Sequence, residues 1–471
     1  MQVDQIYTGC LAQGAYYLES NGEAAVIDPL REVSAYLQRA EQRGAKIKYV
    51  FETHFHADFV SGHLDLAAKT GATIVYGPHA ETGFAAHIAT DGEEFKIGNV
   101  TIRALHTPGH TMESTCYLLL DEAGKEYALF SGDTLFIGDV GRPDLAQKAA
   151  NLTKEDLAGL LYDSLNHKIK PLPDATLIYP AHGAGSACGK NMSKETYDTL
   201  GHQKAVNYAL RAKDKDQFIR EVTEGLLPPP AYFPQNVARN KNGYTSVYAV
   251  LQKGLTAFLP AAFEAAAEAT NALILDVRPE GDFAEGHIPG SINIGLEGQF
   301  APWVGALIPD LQQPLLLVAG SGKEEEAVTR LARVGYDNSI GYLRGGFDAW
   351  VKSGRAEDAV SRIPATTFAQ QIQFGDALIY DVRRESEYRA EHVEGAISRP
   401  LDFINDWTAE INPEKHFYLY CQGGYRSMIA ASILKSRGIH YFTEVAGGFT
   451  EIAETDAPKT DFVCQSKVLR V

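Results

Sequence analysis

The chain has 471 residues, 45% apolar and 22% charged, and its 43 Lys and Arg against 60 Asp and Glu give a formal net charge of −17. This is globular composition with room for about three domains, and it excludes a fibrous or largely disordered chain. So acidic a surface argues against general nucleic-acid binding, and no window approaches the ~20 apolar residues of a membrane span. Short apolar runs closed by polar, Gly or Pro residues predict buried strands at Ala24–Asp28, Lys48–Phe51, Ala72–Tyr76, Tyr127–Phe130 and Thr176–Tyr179. Helical stretches alternate with them, so the first part of the chain is α/β. Residues 191–250 are more polar, with helical runs expected around 194–225. Pro228-Pro229-Pro230 and Pro234 then favour an extended linker and a boundary near 228–255.

Beyond that boundary the sequence repeats. Leu275-Asp276-Val277-Arg278 returns as Tyr380-Asp381-Val382-Arg383, and His287-Ile288-Pro289-Gly290 as His392-Val393-Glu394-Gly395. Gly345-Gly346-Phe347 returns as Gly447-Gly448-Phe449. Matching motifs in matching order imply two copies of one small α/β domain. The expected domains are 1–250, 255–357 and 362–471.

The N-terminus, Met1-Gln2-Val3-Asp4, lacks the basic and apolar runs of a signal peptide, so a cytoplasmic protein is expected. The five cysteines, Cys10, Cys116, Cys188, Cys421 and Cys464, are sparse and odd in number, and no CxxC occurs. That rules against a disulfide framework or thiolate zinc site. A special cysteine here is expected to be a nucleophile.

The densest chemistry is Thr53-His54-Phe55-His56-Ala57-Asp58-Phe59, placed after a predicted strand. Thr107-Pro108-Gly109-His110-Thr111, Ser131-Gly132-Asp133-Thr134 and Tyr179-Pro180-Ala181-His182 follow. Imidazole and carboxylate together suit a divalent first-row metal, and loops after strands let such groups converge. One isolated histidine is more often structural; the ordered set points to a metal site.

This set resembles the metallo-β-lactamase superfamily, whose motif is His-x-His-x-Asp-His followed by separate His, Asp and His positions. The resemblance covers roughly residues 1–250 and implies an αββα sandwich. The motif's final His, a ligand of the second metal in that family, is Phe59 here, which disfavours a dinuclear zinc hydrolase. Within the superfamily the chain looks like the persulfide dioxygenases. That resemblance implies one Fe(II) held by His54, His110 and Asp133, with His56, Asp58 and His182 around it. Two His and one carboxylate with open positions is the set of non-haem Fe(II) oxygenases. A single Zn(II) is the rival occupant. In Gly138-Asp139-Val140-Gly141-Arg142-Pro143-Asp144, Arg142 and Asp144 match the stretch that family members set beside the thiol. A structural Arg–Asp loop is the equal alternative. The run Gly183–Lys190 is closer to the rhodanese-fused bacterial branch, which leaves glutathione, bacillithiol and coenzyme A open as carrier. Cys188 in that run reads as structural.

Phe417-Tyr418-Leu419-Tyr420 leads into Cys421-Gln422-Gly423-Gly424-Tyr425-Arg426-Ser427 and then a helical run. A cysteine between strand end and helix N-terminus meets backbone N–H groups and the positive end of the helix dipole, which stabilise thiolate. Arg426 adds a cation. The loop resembles that of the rhodanese sulfurtransferases, over about 365–471, with Asp381-Val382-Arg383, Glu387, His392 and Gly395-Ala396 matching earlier family motifs. The resemblance implies Cys421 and Arg426 as catalytic residues and Gln422, Gly423, Gly424, Tyr425 and Ser427 as the substrate cradle. Ala319 stands at the cysteine's place in the middle copy, so that copy is inactive and its job is structural. Cys464 has no such setting.

The sequence is read as an Fe(II) persulfide dioxygenase fused to a sulfurtransferase, acting on a thiol persulfide, O2 and thiosulfate or sulfite. It involves no nucleic acid or membrane and is compatible with a homo-oligomer. A Zn(II) thioester hydrolase of glyoxalase II type fused to a rhodanese, and a non-enzymatic sulfur sensor, are the alternatives.

Overall fold

The structure, a computed structural model, describes residues 1–373 and 377–463. Cys464 lies outside them. The chain forms two compact units. The first is Met1–Ala249 together with Pro309–Leu311 and Leu331–Asp337; the second holds Val250–Ile308, Gln312–Arg330 and the described residues from Asn338.

Two six-stranded sheets build the first unit. One orders Gln2–Thr8, Gln13–Ser20, Glu23–Ile27, Lys46–Phe51, Thr73–Tyr76 and His87–Ile88. The other orders Asp198–Thr199, Leu177–Pro180, Glu126–Gly132, Thr115–Leu120, Val100–His106 and Glu94–Ile97. Successive strand residues point to opposite faces. Tyr16, Leu18, Ile27 and Phe51 therefore meet Tyr117, Leu119, Ile102 and Phe130 between the sheets. Tyr17 and Val26 face the helix residues Tyr36 and Leu66 outside. On the other outer face Leu118 and Leu129 meet Leu161 and Phe218. This is the αββα sandwich expected from the sequence.

The apolar-run reading finds five of these strands and misses others, among them the edge strand Gln2–Thr8 and the buried strands Gln13–Ser20, Val100–His106 and Thr115–Leu120. Gln2–Thr8 is an edge strand with no fully buried residue, so it carries no apolar run. The helical runs expected around 194–225 are the two helices Leu200–Val206 and Lys215–Thr223, preceded by a short strand, Asp198–Thr199, that was not expected. Pro234, read as linker punctuation, is the second residue of helix Phe233–Asn242. A helix start leaves N–H groups free, so a missing donor there costs nothing. The helix matters to the motif loop: Asn240 Nδ2 donates to the carbonyls of His56 and Phe59, each at 2.8 Å.

The second unit holds two five-stranded sheets, parallel throughout, with one topology. In the first the order is Ala257–Phe258, Ser339–Leu343, Leu315–Val318, Leu273–Asp276 and Ile292–Asn293. In the second it is Arg362–Pro364, Phe442–Ala446, Phe417–Tyr420, Ile379–Asp381 and Ile397–Ser398. The repeat read in the sequence is thus a repeat of fold. The Gly-Gly-Phe motif has a steric cause. A Cβ on Gly448, which has φ +57°, would stand 2.3 Å from the carbonyl oxygen of Cys421. Gly346 approaches the carbonyl of Ala319 in the same way, at 3.1 Å.

Candidate metal centre and sulfur site

His54, His110 and Asp133 converge, fully buried, with their ligand atoms within 4.8 Å of one another. Each lies at a strand end. Gly132 is needed there: it takes φ +52°, and a Cβ would stand 2.6 Å from Thr53. His110 Nδ1 donates to the carbonyl of Arg142 at 2.8 Å, leaving Nε2 3.4 Å from Asp133 Oδ2. His54 Nδ1 donates to Thr53 Oγ1 at 3.0 Å, and that hydroxyl donates to Asp28 Oδ2 at 2.9 Å. His54 Nε2 is left 3.8 Å from Asp133 Oδ2. Both imidazoles are therefore fixed in the tautomer that turns a lone pair toward the carboxylate. Burial, and then the imidazoles of His56, His110 and His182, hold His54 well below its ordinary pKa, so it is neutral and able to coordinate. Both oxygens of Asp133 are buried without a hydrogen-bond donor. A buried carboxylate without donors is costly unless a cation joins it. Two oriented imidazoles and this carboxylate fit a divalent metal.

The other expected residues divide. His182 Nε2 lies 3.5 Å from Asp58 Oδ1 and 3.6 Å from Asp133 Oδ1. His56 sets Nε2 3.1 Å from Asp28 and 3.5 Å from Glu52, and it also keeps a ring nitrogen within 4.8 Å of the ligand atoms of Asp58 and His182. Burial opposes its charged form, but Asp28 and Glu52 outweigh burial and raise its pKa well above the ordinary value. Phe59 is fully buried with its ring 4.4 Å from that of His56. Arg142 follows the structural branch of the sequence reading. It pairs in bidentate fashion with Asp144, both contacts at 2.7 Å, and donates to the carbonyls of Ala187 and Leu227. Sequence reasoning missed Asp28 and Thr53. Asp28 looked like the end of a strand, although it takes a left-handed φ of +48°. Cys188 lies within 4.8 Å of Asp133 and His182, and burial pushes its thiol well up. The four cysteines among the described residues are free.

Thr53→Val keeps the volume but removes the hydroxyl that fixes His54. Metal affinity is expected to fall about 10- to 100-fold, read by chelator competition.

Cys421 lies at the floor of an open cavity of about 430 Å³ in the second unit, lined by Gln422, Gly423, Tyr425 and Arg426. The Gly424 N–H donates to Sγ at 3.1 Å. Arg426 does not stand as a free cation: it makes a bidentate pair with Glu387 at 2.7 and 2.8 Å. Gln422 accepts from Arg383 and donates to Thr450. Ser427, expected in the cradle, is instead wholly buried behind the sulfur, with Oγ 3.4 Å from Sγ. The helix begins at Tyr425, whose side chain lines the cavity.

The middle copy supplies one wall of the cavity, through Glu297, Gly298, Gln299 and Trp303. Tyr425 Oη donates to the Gly295 carbonyl at 2.8 Å. A Cβ on Gly298 would stand 2.7 Å from the Tyr425 ring. Gly298→Ala should displace Tyr425 and slow sulfur transfer about tenfold or more, as small misplacements in a site do. Metal content should not change. A full-rate variant would show that the loop does not depend on this contact.

Comparison with known proteins agrees with this architecture. Residues 8–182 match the metallo-beta-lactamase superfamily, and residues 259–353 and 364–455 each match the rhodanese-like domain. A Schizosaccharomyces pombe protein named "Probable hydroxyacylglutathione hydrolase" is 31% identical over 220 residues, 45% of this chain and 78% of that one. The chain belongs to the metallo-beta-lactamase superfamily. A hydroxyacylglutathione hydrolase of Polaromonas is 34% identical over 39% of this chain and 66% of its own length. A solved metallo-beta-lactamase from Staphylococcus aureus is 33% identical with a TM-score of 0.65, covering 73% of this chain and 98% of that one. This superfamily member thus carries a lactamase-fold domain followed by two rhodanese-like domains. These are enzyme-family domains, and the lactamase fold is one that binds divalent metal. Among the described residues no helix is long and apolar enough to cross a membrane.

Proposed function

We propose that this protein is an Fe(II) persulfide dioxygenase coupled to a sulfurtransferase. One observation carries the first half. His54 and His110 aim Nε2 at a donorless Asp133, while Phe59 stands where the superfamily motif has a second metal's ligand. A single metal on two imidazoles and one carboxylate keeps open positions. When bound, Fe(II) supplies the redox chemistry that oxidises a persulfide's outer sulfur with O2. The chain's own residues hold the tautomers through Thr53, Asp28 and the Arg142 carbonyl. The run Gly183–Lys190 leaves the carrier open, so glutathione, bacillithiol and coenzyme A persulfides all belong in the assay.

Cys421 carries the second half. Its thiolate attacks the outer sulfur of a persulfide or of thiosulfate. A new S–S bond forms, the donor's S–S bond breaks, and a thiolate or sulfite leaves with the electron pair. The Gly424 N–H donates to the sulfur at 3.1 Å, at the start of the helix that opens at Tyr425.

Protein purified without oxygen should hold one iron per chain and consume O2 with a thiol persulfide. The second reading, a Zn(II) thioester hydrolase, draws on the names of its relatives. Stoichiometric zinc with thioester hydrolysis and no O2 uptake would establish that reading instead.

A further inference from the structure

Behind the Cys421 loop lies a buried carboxylate that sulfur transfer, as described so far, does not use. Ser427 Oγ has one proton and three acceptors in reach: Cys421 Sγ at 3.4 Å, the Gly424 carbonyl at 2.9 Å and Glu444 Oε1 at 2.6 Å. The shortest contact is to Glu444, which is fully buried on strand Phe442–Ala446. A hydroxyl that donates to Glu444 turns a lone pair toward Sγ, where it accepts from a thiol. Glu444 Oε2 accepts from Arg362 Nε at 2.7 Å. Burial raises the Glu444 carboxyl above its ordinary range, while Arg362 and Ser427 pull the other way. Water cannot take the proton from below, because Cys421, Ser427 and Glu444 are all closed to solvent on that side.

We propose that Glu444, acting through Ser427, holds the proton that Cys421 gives up when it becomes the sulfur nucleophile. The Cys421 S–H bond breaks as a proton passes to Ser427 Oγ, and Ser427 passes its own proton to Glu444. Thiol and carboxylate become thiolate and carboxylic acid, with no change in total charge. The sulfur then attacks the donor as above, and no oxidant is required. When an acceptor thiolate removes the sulfur from the Cys421 persulfide, the departing Cys421 thiolate regains the proton by the same route. Glu444 does not touch the reacting atoms; it is a positioning residue. The other charges around the sulfur are Arg426 with Glu387 and, on the cavity wall, Arg384 and Glu297; those facing Glu444 are Arg362 and, farther off, Glu280.

The proposal rests on reading Cys421 as the sulfur carrier, but its test reads the thiol directly. The rate of Cys421 alkylation by iodoacetamide would be followed by mass spectrometry against pH in the full chain. Ser427→Ala and Glu444→Gln should each raise the midpoint by about one pH unit, slowing alkylation near pH 7 about tenfold. Ser427→Thr, which restores the hydroxyl, should bring the midpoint back. A midpoint that stays or falls in Ser427→Ala and Glu444→Gln overturns the relay, because loss of a merely ion-paired carboxylate would ease thiolate formation. If Glu444→Gln does not fold, Ser427→Ala decides alone, since it leaves the Glu444–Arg362 pair in place. Failure of wild-type sulfur transfer would defeat the functional reading without altering these curves.

Discussion

His110→Ala is expected to abolish metal binding and, with it, oxygen uptake, while sulfur transfer through Cys421 stays within about twofold of wild type. The imidazole presents Nε2 3.4 Å from Asp133 Oδ2, and its Nδ1 is tied to the Arg142 carbonyl at 2.8 Å. Without it, one of the two imidazoles turned toward Asp133 Oδ2 is gone. Partners of ligands alone are worth about 10- to 100-fold in affinity, so a ligand should exceed that. Stability offers a second reading. A metal present at about 1,000 times its dissociation constant stabilises the native state by about 4 kcal/mol. Adding a chelator should therefore lower the unfolding midpoint of the wild-type lactamase domain and leave that of His110→Ala unchanged. Metal analysis and calorimetry check both. Full iron occupancy in the variant would remove His110 from the ligand set.

Cys421→Ser is expected to give the opposite pattern. The hydroxyl occupies nearly the same space beside the Gly424 N–H, so the fold should be retained. A serine oxygen at neutral pH is neither ionised nor able to carry a sulfane sulfur. Sulfur transfer to cyanide should fall to background, and oxygen uptake with a supplied persulfide should persist. In the wild type, incubation with thiosulfate should add the mass of one sulfur atom to the peptide holding Cys421; the variant should add none. Loss of both activities in both variants would contradict two separately working sites.

The residues that converge at the candidate metal site were legible because they sit in short motifs directly after apolar strands. Each motif is local, and the order of the motifs along the chain is itself a signal. Thr53 was legible only as a neighbour of His54. Its tie to Asp28 joins the ends of two adjacent parallel strands, and strand pairing is not written in either segment. Arg142 shows the same limit. Its type and spacing allowed a thiol contact or an internal pair, and the nearness of Asp144 and two carbonyls selects the pair. In the sulfur site the loop from Cys421 to Ser427 was readable, but not which of its side chains face the cavity. Tyr425 lines the cavity, whereas Ser427 turns inward because the loop runs directly into a buried helix.

The sequence by itself determined the three-part organisation, the loss of a nucleophile at Ala319, and the identity of the groups able to hold metal or sulfur. Those are facts of residue type and spacing, and folding does not alter them. Tertiary structure decided what each group faces. It turned His56 onto Asp28 and Glu52, paired Arg426 with Glu387, and set Glu444 beneath Ser427. These contacts join residues on separate strands and loops, and side-chain chemistry depends on distances of about 3 Å, which only the packed chain fixes.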